Sequence, residues 1–429
     1  MTAPDAGPMG SRPKLVVIGQ GYVGLPLALR AAEVGFDVIG FDLDGAKIKR
    51  LEAGESAIED VSDERLRAAL DDSSYLPTVD PAALTGFDVA VVSVPTPLAG
   101  GNPDLSHITA AARLLAAHLV AGATVVLEST TYPGTTEELV LPLLEDGSGL
   151  VAGRDFHLGY SPERIDPGNP DWRLENTPKV VSGIDDTSLA AVTAFYDRLV
   201  AETVPVSSPA VAELTKLLEN TFRHVNIALV NELAIYAHDL GIDVWAAIDA
   251  ASTKPFGYLR FTPGPGVGGH CLPVDPSYLS WRVRQSLGVP FRFVELANDV
   301  NAHMPDYVVR RLILALNQRH LPVNGQRILL LGLAYKRNTG DARETPSRPI
   351  AEQLVELGAE VVLADPHVDD RALPAGVTRV DATPELAASA VATVLLVDHD
   401  EFDLEALAAA APYLLDTRHR VSGPQVEHL

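Results

Sequence analysis

An apolar run that ends in a glycine turn constrains this chain more than any other feature: Lys14–Gly19, KLVVIG, followed by Gln20-Gly21-Tyr22-Val23-Gly24. The run reads as a short buried parallel strand. A helix is expected from Tyr22 to about Val34, then a strand over Asp37–Phe41. Gly19, Gly21 and Gly24 permit a tight strand-to-helix turn and let backbone N–H groups approach a phosphate. The helix N-terminus adds partial positive charge there. Asp42 ends the second strand about 20 residues on, where a carboxylate accepts bonds from ribose hydroxyls. Alone, G-x-G-x-x-G also fits an ordinary glycine turn; flanked by strand, helix and acid it reads as a dinucleotide site. No arginine directly follows Asp42, which favours NAD over NADP, and Lys47 is placed near the adenosine ribose.

Further strands are expected at Val89–Val94, Thr124–Leu127, Lys179–Ser182 and Thr203–Val206, with helices between most of them. That alternation predicts a doubly wound parallel sheet. Near Ser207 the pattern changes. One long helix is expected from Pro209 to about Leu240, begun by a Ser-Pro pair suited to a cap and first turn. Helical segments continue to about Gln318, broken by a Gly/Pro-rich loop around Phe256–Gly269. A second α/β pattern follows, with strands at Arg327–Leu331, Glu360–Ala364, Thr393–Val397 and Tyr413–Leu415. The expected class is therefore α/β, with two Rossmann-like doubly wound domains joined by a central helical region with a long helix. The divisions are a flexible tail over 1–12, a dinucleotide-binding domain over 13–206, a helical region over 207–318 and a third domain over 319–429. The long helix also offers apolar surface for a homodimer.

Composition narrows the function. Lys and Arg number 33 against 57 Asp and Glu, a net charge of −24, which argues against a nucleic-acid or anionic-membrane binder. A small anionic ligand remains compatible, since a helix end and a few cations suffice to hold one. No apolar run reaches the roughly 18 residues of a membrane span, and the polar start MTAPDAGPMGSRPK carries no export signal. The single cysteine, Cys271, excludes an internal disulfide framework and a multi-cysteine metal site, so a cytoplasmic setting and no bound metal are expected.

That cysteine follows Pro263-Gly264-Pro265-Gly266-Val267-Gly268-Gly269-His270 and precedes Leu272-Pro273-Val274-Asp275-Pro276. Glycines at this density let a ligand come close to backbone, and prolines stiffen the loop. A thiol placed after such a loop is a candidate nucleophile; the bland reading is a buried structural cysteine. Asp275 is expected to start the next helix, and a helical turn there puts it on the side of Cys271. A nucleophilic thiol beside NAD has a specific meaning. Oxidation of an alcohol yields an aldehyde, the thiolate adds to it, a second oxidation leaves a thioester, and water releases a carboxylate. Lys216 and Asn220, four residues apart on the long helix, are donors suited to the oxygen at the reacting carbon. Their bland reading is a solvated face shared with Glu213 and Glu219. His224 extends the stripe and is read as structural.

These residues bring a family into view. The chain resembles the UDP-glucose/GDP-mannose dehydrogenase family from Lys14 to about Arg420, through GQGYVGLP, VSVPTP, EST, SPERIDPGN, ELTKLLENTF, PGPGVGGHCLPVDP and LAYKRNTGDARE. The resemblance implies an N-terminal NAD-binding domain, a central dimerisation region and a C-terminal nucleotide-sugar domain. It implies Cys271 as covalent nucleophile, Lys216 and Asn220 at the oxygen of the oxidised carbon, and Asp275 orienting water or tuning Cys271 or Lys216. Thr130 looks like the threonine that positions a catalytic water, and Glu163 like the glutamate that handles water and protons, against a surface pair with Arg164. Pro95, Thr96 and Thr130 join Gly19, Gly21, Tyr22, Val23, Gly24, Asp42 and Lys47 on the cofactor side, with Arg343 reaching the NAD phosphates. Arg164, Ile165, Tyr258, Leu259, Arg260, Phe261, Gly268, Tyr335 and Lys336 join Glu163, Lys216 and Asn220 on the substrate side. Val267 and His270 depart from the UDP-glucose type and resemble the branch acting on UDP-N-acetylhexosamines. SPERIDPGN and Thr253–Tyr258 look most like UDP-N-acetylglucosamine enzymes, while Pro167 stands where the family has a second acid. UDP-glucose, UDP-N-acetylmannosamine and dTDP-glucose are the alternatives. A two-electron hydroxyacid-type dehydrogenase without thiol chemistry, and a binding regulator without turnover, are the competing classes.

Overall fold

The computed structural model describes residues 12–429 apart from 57, 59, 166–168, 170 and 270, together with the side chain of Cys271. The chain divides into two compact units, Met1–Leu218 and Glu219–Leu429.

In the first unit eight strands form one sheet in the order Thr203–Pro205, Lys179–Gly183, His157–Tyr160, Thr124–Leu127, Val89–Val92, Lys14–Ile18, Asp37–Phe41, Tyr75–Thr78. Numbered along the chain, the first six follow the order 3-2-1-4-5-6 of dinucleotide-binding sheets. The central strands are apolar on both faces, as a sheet covered on both sides requires: Leu15, Val16, Val17, Val91, Val125 and Val126 have no exposed surface. All pairings are parallel except that of His157–Tyr160 with Lys179–Gly183.

Six strands of the second unit form an all-parallel sheet in the order Thr378–Arg379, Glu360–Ala364, Arg327–Leu331, Ala392–Leu395, Leu414–Asp416, Val426–His428, again 3-2-1-4-5-6. The two sheets share a device at the end of their first strand. Gly19 has φ +97° and donates its N–H to Phe41; Gly332 has φ +95° and donates to Ala364. A Cβ on Gly19 would stand 2.6 Å from the Ser93 carbonyl oxygen, and one on Gly332 would stand 2.3 Å from Val397 Cβ. Each first strand therefore turns away through a glycine packed against the segment that follows the fourth strand.

Helices make up the region between. The longest spans Pro209–Asp239, 31 residues, and Ser208 Oγ accepts the Val211 N–H at 3.3 Å as the expected cap. It is followed by Val244–Ser252, Cys271–Leu287 and Arg292–Gln318. The expected architecture of two doubly wound sheets and a helical middle is thus what the chain adopts. Several edges differ. The first helix starts at Gly24 rather than Tyr22, because Gly21–Val23 form the turn. The strands at Tyr75–Thr78, His157–Tyr160, Thr378–Arg379 and Val426–His428 went unread. The helix carrying Asp275 begins at Cys271, one turn earlier than expected. Among the described residues no helix is long and apolar enough to cross a membrane.

Candidate functional site

In the first unit the glycine turn is held by Ser93, Gln20 and Gly24. Ser93 Oγ donates to the Gly19 carbonyl at 3.1 Å and to that of Ile18 at 3.2 Å. The Gln20 amide is buried, donating to Val17 at 2.9 Å while its oxygen accepts the Tyr75 hydroxyl at 2.7 Å. A Cβ on Gly24 would fall 1.9 Å from the Gly19 oxygen, so only glycine fits there. At Gly21 an added Cβ meets no protein atom within 4 Å, which leaves that side of the turn open to a ligand. Asp42 Oδ2 accepts the Gln20 N–H at 2.9 Å and the Lys47 ammonium at 2.7 Å. Burial pushes this carboxyl up, but Lys47 and the Asp44 and Gln20 N–H groups outweigh it and hold it below the usual range. Lys47 thus pairs with the acid expected to hold ribose. Tyr22 and Val23 complete the turn; past the fourth strand Pro95 is exposed and Thr96 buried. An open glycine turn, a helix N-terminus and a poised carboxylate fit a dinucleotide.

Thr130 and Glu163 follow neighbouring strands of the same sheet. Thr130 is part-exposed, while Thr131 beside it is sealed and bonded to Thr135 Oγ1 at 2.6 Å. Glu163 is no surface partner of Arg164. It is buried, and its Oε1 accepts the N–H groups of Arg164 and Ile165, both at 2.6 Å. The Arg164 guanidinium turns instead to the Pro178 carbonyl at 2.6 Å. The true partner of Glu163 is Lys179, at 3.2 Å, a residue sequence reasoning passed over. Burial pushes the Glu163 carboxyl up; Lys179, the Ile165 N–H and Lys216 more than reverse this and hold it low. Lys216 is itself buried. Glu213 does not share a solvated face with it: Glu213 is fully buried and accepts the Gly134 N–H at 2.6 Å and the Thr136 N–H at 2.9 Å.

In the second unit Asn220 and Asp275 come together, Nδ2 donating to Oδ2 at 2.6 Å, with Asp275 1% exposed. Asp275 sits one helical turn after Cys271 on the same helix. Cys271 opens the helix, but its side chain, like His270 and Pro167, lies outside the described residues. The loop before it is clasped. Gly264 donates its N–H to Asn231 Oδ1 at 2.9 Å, and Gly269 donates to the Arg343 carbonyl at 3.0 Å. A Cβ on Gly268 would meet the Glu344 oxygen and Tyr335 Cβ, each at 2.8 Å. So the LAYKRNTGDARE segment packs directly on the glycine loop, which requires glycine at 268 and 269. Asn231 also donates to Asn301 at 2.9 Å, and His224 is buried against Asn298 at 2.8 Å, structural as read. Asn231 and Asn301 carry no sequence signal beyond their place on apolar helices.

The remaining expected residues lie around this loop. Lys336 is half-buried, and the exposed Arg343 pairs with Asp341, Nε to Oδ1 at 2.9 Å. Arg260 pairs with Asp249 on the helix before it. Leu259 is exposed, Tyr258 is half-buried, and Phe261 meets Phe222 edge-on at 5.8 Å. His367, His399 and Glu401 bring ligand atoms within 4.8 Å of one another. Both ring nitrogens of His399 are taken, Nδ1 by the Asn338 N–H at 3.0 Å and Nε2 by Asp365 at 3.1 Å, so this cluster is hydrogen-bonded structure.

Three models of one family match the chain in order: the NAD-binding domain of the UDP-glucose/GDP-mannose dehydrogenase family over residues 13–200, the central domain over 210–303 and the UDP-binding domain over 329–422. The chain is 39% identical over 393 residues to a UDP-N-acetyl-D-glucosamine 6-dehydrogenase of Pseudomonas aeruginosa, covering 91% of each chain. It is 36% identical over 390 residues to a UDP-N-acetyl-D-mannosamine dehydrogenase of Pyrococcus horikoshii, covering 91% of this chain and 90% of the relative. A solved UDP-D-ManNAc dehydrogenase from Pyrococcus horikoshii superposes with a TM-score of 0.89 at 33% identity, covering 97% of this chain and 98% of that one. The chain is therefore an NAD-dependent oxidoreductase, and it belongs to the UDP-glucose/GDP-mannose dehydrogenase family.

Proposed function

We propose that this protein oxidises the C6 hydroxyl of a UDP-sugar to a carboxylate in two NAD-dependent steps, with UDP-N-acetylglucosamine as substrate. The observation that carries the reading is the buried Asn220–Asp275 pair, set one helical turn beyond the only cysteine. A carboxylate one turn after a thiol, with an amide donor from the long helix bonded to it, supplies groups that covalent oxidation of an aldehyde needs. Bound NAD supplies the hydride acceptor for each oxidation.

The chain's own residues do the rest. Gly19, Gly21 and Gly24 receive the pyrophosphate at a helix N-terminus, and Asp42 accepts from ribose. Lys216 and Asn220 donate to the oxygen on the reacting carbon, stabilising negative charge as it develops. The Cys271 thiolate adds to the aldehyde carbon, and the second oxidation leaves a thioester on Sγ. Water held by Thr130 attacks that thioester, Glu163 takes its proton, and Sγ leaves as thiolate. The sum is one alcohol and one water converted to a carboxylate, two hydrides and three protons. Arg164, Ile165, Tyr258, Arg260, Gly268, Tyr335 and Lys336 are read as the substrate side, and Arg343 as a phosphate ligand.

Relatives named for N-acetylglucosamine and for N-acetylmannosamine are similarly close, so the acetamido sugars rank above UDP-glucose and dTDP-glucose. By function we divide the chain at 13–206, 207–318 and 319–429. A second copy is the proposed partner, through an apolar stripe on the long helix in which Phe222, Leu229, Leu233 and Tyr236 are each 47–56% exposed. One cysteine suits a reducing cytoplasm. The test is NADH yield on UDP-N-acetylglucosamine, UDP-N-acetylmannosamine, UDP-glucose and dTDP-glucose. Two NADH per sugar, abolished in Cys271→Ala, is expected. One NADH per sugar with an active Cys271→Ala would instead make it a two-electron alcohol dehydrogenase.

A further inference from the structure

The first unit buries a charge cluster of which only Glu163 is among the expected site residues. Lys179, 2% exposed, opens the strand Lys179–Gly183 with its ammonium between two carboxylates, 2.8 Å from Glu128 Oε1 and 3.2 Å from Glu163 Oε2. Tyr196, fully buried, donates its hydroxyl to the same Glu128 oxygen at 2.6 Å, and the Lys179 ammonium lies 5.3 Å from the centre of its ring. Two acids thus share one cation in a dry interior, a costly arrangement unless it fixes something.

The two acids are not equivalent. The Glu128 side chain has no exposed surface, while that of Glu163 keeps 11%. Glu163 is also held at both oxygens, Oε1 by two backbone N–H groups and Oε2 by Lys179. The charged groups facing it are Lys179, Glu128 behind Lys179, and Lys216 from the long helix; the Arg164 guanidinium is turned to Pro178. Glu128 is thus the sealed end of the cluster and Glu163 the end that reaches the surface.

We propose that Lys179, backed by Glu128 and Tyr196, is a positioning residue that holds Glu163 as an oriented carboxylate, ready to take a proton. This rests on the reading of Glu163 as the group that handles water in the acid-forming step. The charges agree with it. Burial drives the Glu128 carboxyl up and prevails over Lys179, whereas Glu163 is held low, so a falling pH protonates Glu128 first. Lys179 remains an ammonium despite its burial, because it faces both acids.

The test is the pH dependence of kcat at saturating NAD and sugar in five proteins: wild type, Lys179→Met, Lys179→Arg, Glu128→Gln and Glu163→Gln. An opposite charge at this range moves a carboxyl by about one to three pH units. Lys179→Met removes the cation, so the acid limb should move up by about one unit or more, and Lys179→Arg should restore it. Glu128→Gln keeps an acceptor for Lys179 and Tyr196, and because Glu128 is already neutral when Glu163 titrates, the limb should stay in place. Simple damage to packing would lower kcat in Lys179→Met without displacing the limb, and Lys179→Arg would not undo it. Should Lys179→Met fail to fold, Lys179→Gln takes its place, and an unmoved limb there overturns the proposal. Glu163→Gln separates the two claims. If it is impaired and loses the limb while Lys179→Met leaves the limb in place, the positioning role is wrong and the reading of Glu163 stands. If it turns over like wild type, both fall.

Discussion

The glycine turn yields a prediction in which two neighbouring substitutions part company. Gly24→Ala puts a Cβ 1.9 Å from the Gly19 oxygen and 2.5 Å from Ser93 Oγ, closer than atoms tolerate. The turn must withdraw by about 1 Å, and overpacking of this kind costs about 1–3 kcal/mol. Loss of the Ser93–Gly19 bond adds about 1 kcal/mol. Taking about 3 kcal/mol in total, a unit of this size should melt about 6–12 °C lower. Gly21→Ala meets no protein atom within 4 Å, and Gly21 is not among the residues of positive φ. Its stability should stay within about 1 kcal/mol of wild type. NAD affinity should nevertheless fall about 10–100-fold, because a methyl now stands where the pyrophosphate meets backbone N–H groups and charge-assisted bonds of about 1.5–3 kcal/mol are lost. Calorimetric melting and titration with NAD on both variants give the two readouts. Wild-type NAD affinity in Gly21→Ala, or a melting loss there equal to that of Gly24→Ala, would refute the assignment of this turn to the cofactor.

Three further expectations concern the second unit. Asn231→Ala strands the buried Gly264 N–H and the Asn301 amide, and should cost about 2–4 kcal/mol in thermal or urea melting; an unchanged midpoint would show that the loop is held by other means. Leu229→Arg with Leu233→Arg should give a monomer by light scattering, and a dimer that persists at low micromolar concentration counts against the helix stripe as the interface. Asp365 accepts N–H groups from Leu333 at 2.6 Å and Ala334 at 2.9 Å and faces His399, which together overcome burial and hold its carboxyl well below the usual range. Stability from a depressed carboxyl is complete above its unfolded value, about pH 4, and drains away as pH falls below that. Asp365→Asn should therefore flatten the acid-side decline in stability, and an unaltered slope below about pH 4 would contradict this.

Legibility followed burial. Thr124–Leu127, Arg327–Leu331 and Glu360–Ala364 formed within the expected limits because central parallel strands, covered on both faces, write uninterrupted apolar runs. The strands that escaped notice lie at edges or carry breakers. Tyr75–Thr78 holds Pro77 and pairs on one side only, where a missing N–H costs little. His157–Tyr160 holds Gly159, required because a Cβ there would lie 2.1 Å from the Ser182 oxygen of the antiparallel neighbour. The site shows the same division. Glycine spacing exposed both loops, since close approach demands glycine wherever the chain supplies it. Lys179 stayed hidden because a lysine heading a valine-rich strand looks like a solvated strand end. Its partners stand at Glu128 and Glu163, and only the folded sheet sets all three side by side.

The two acids that end second strands make the point sharpest. Asp42 and Asp365 occupy matching places in matching sheets, each accepting N–H groups from the turn after the first strand. Either satisfies the rule that an acid there reads ribose, although only Asp42 follows a full G-x-G-x-x-G, the second turn reading Gly332-Leu333-Ala334-Tyr335-Lys336-Arg337. The Asp42 side chain keeps 12% of its surface exposed and has a part-exposed lysine as partner, so a sugar hydroxyl can reach it. Asp365 has none exposed and is closed by the equally buried His399. A carboxylate already saturated by four N–H groups and an imidazole has no lone pair to offer a ligand. The proposed ribose site of the first sheet is therefore set apart by an open acid as well as by its glycine turn, because in the second sheet a histidine 34 residues beyond the acid closes it off.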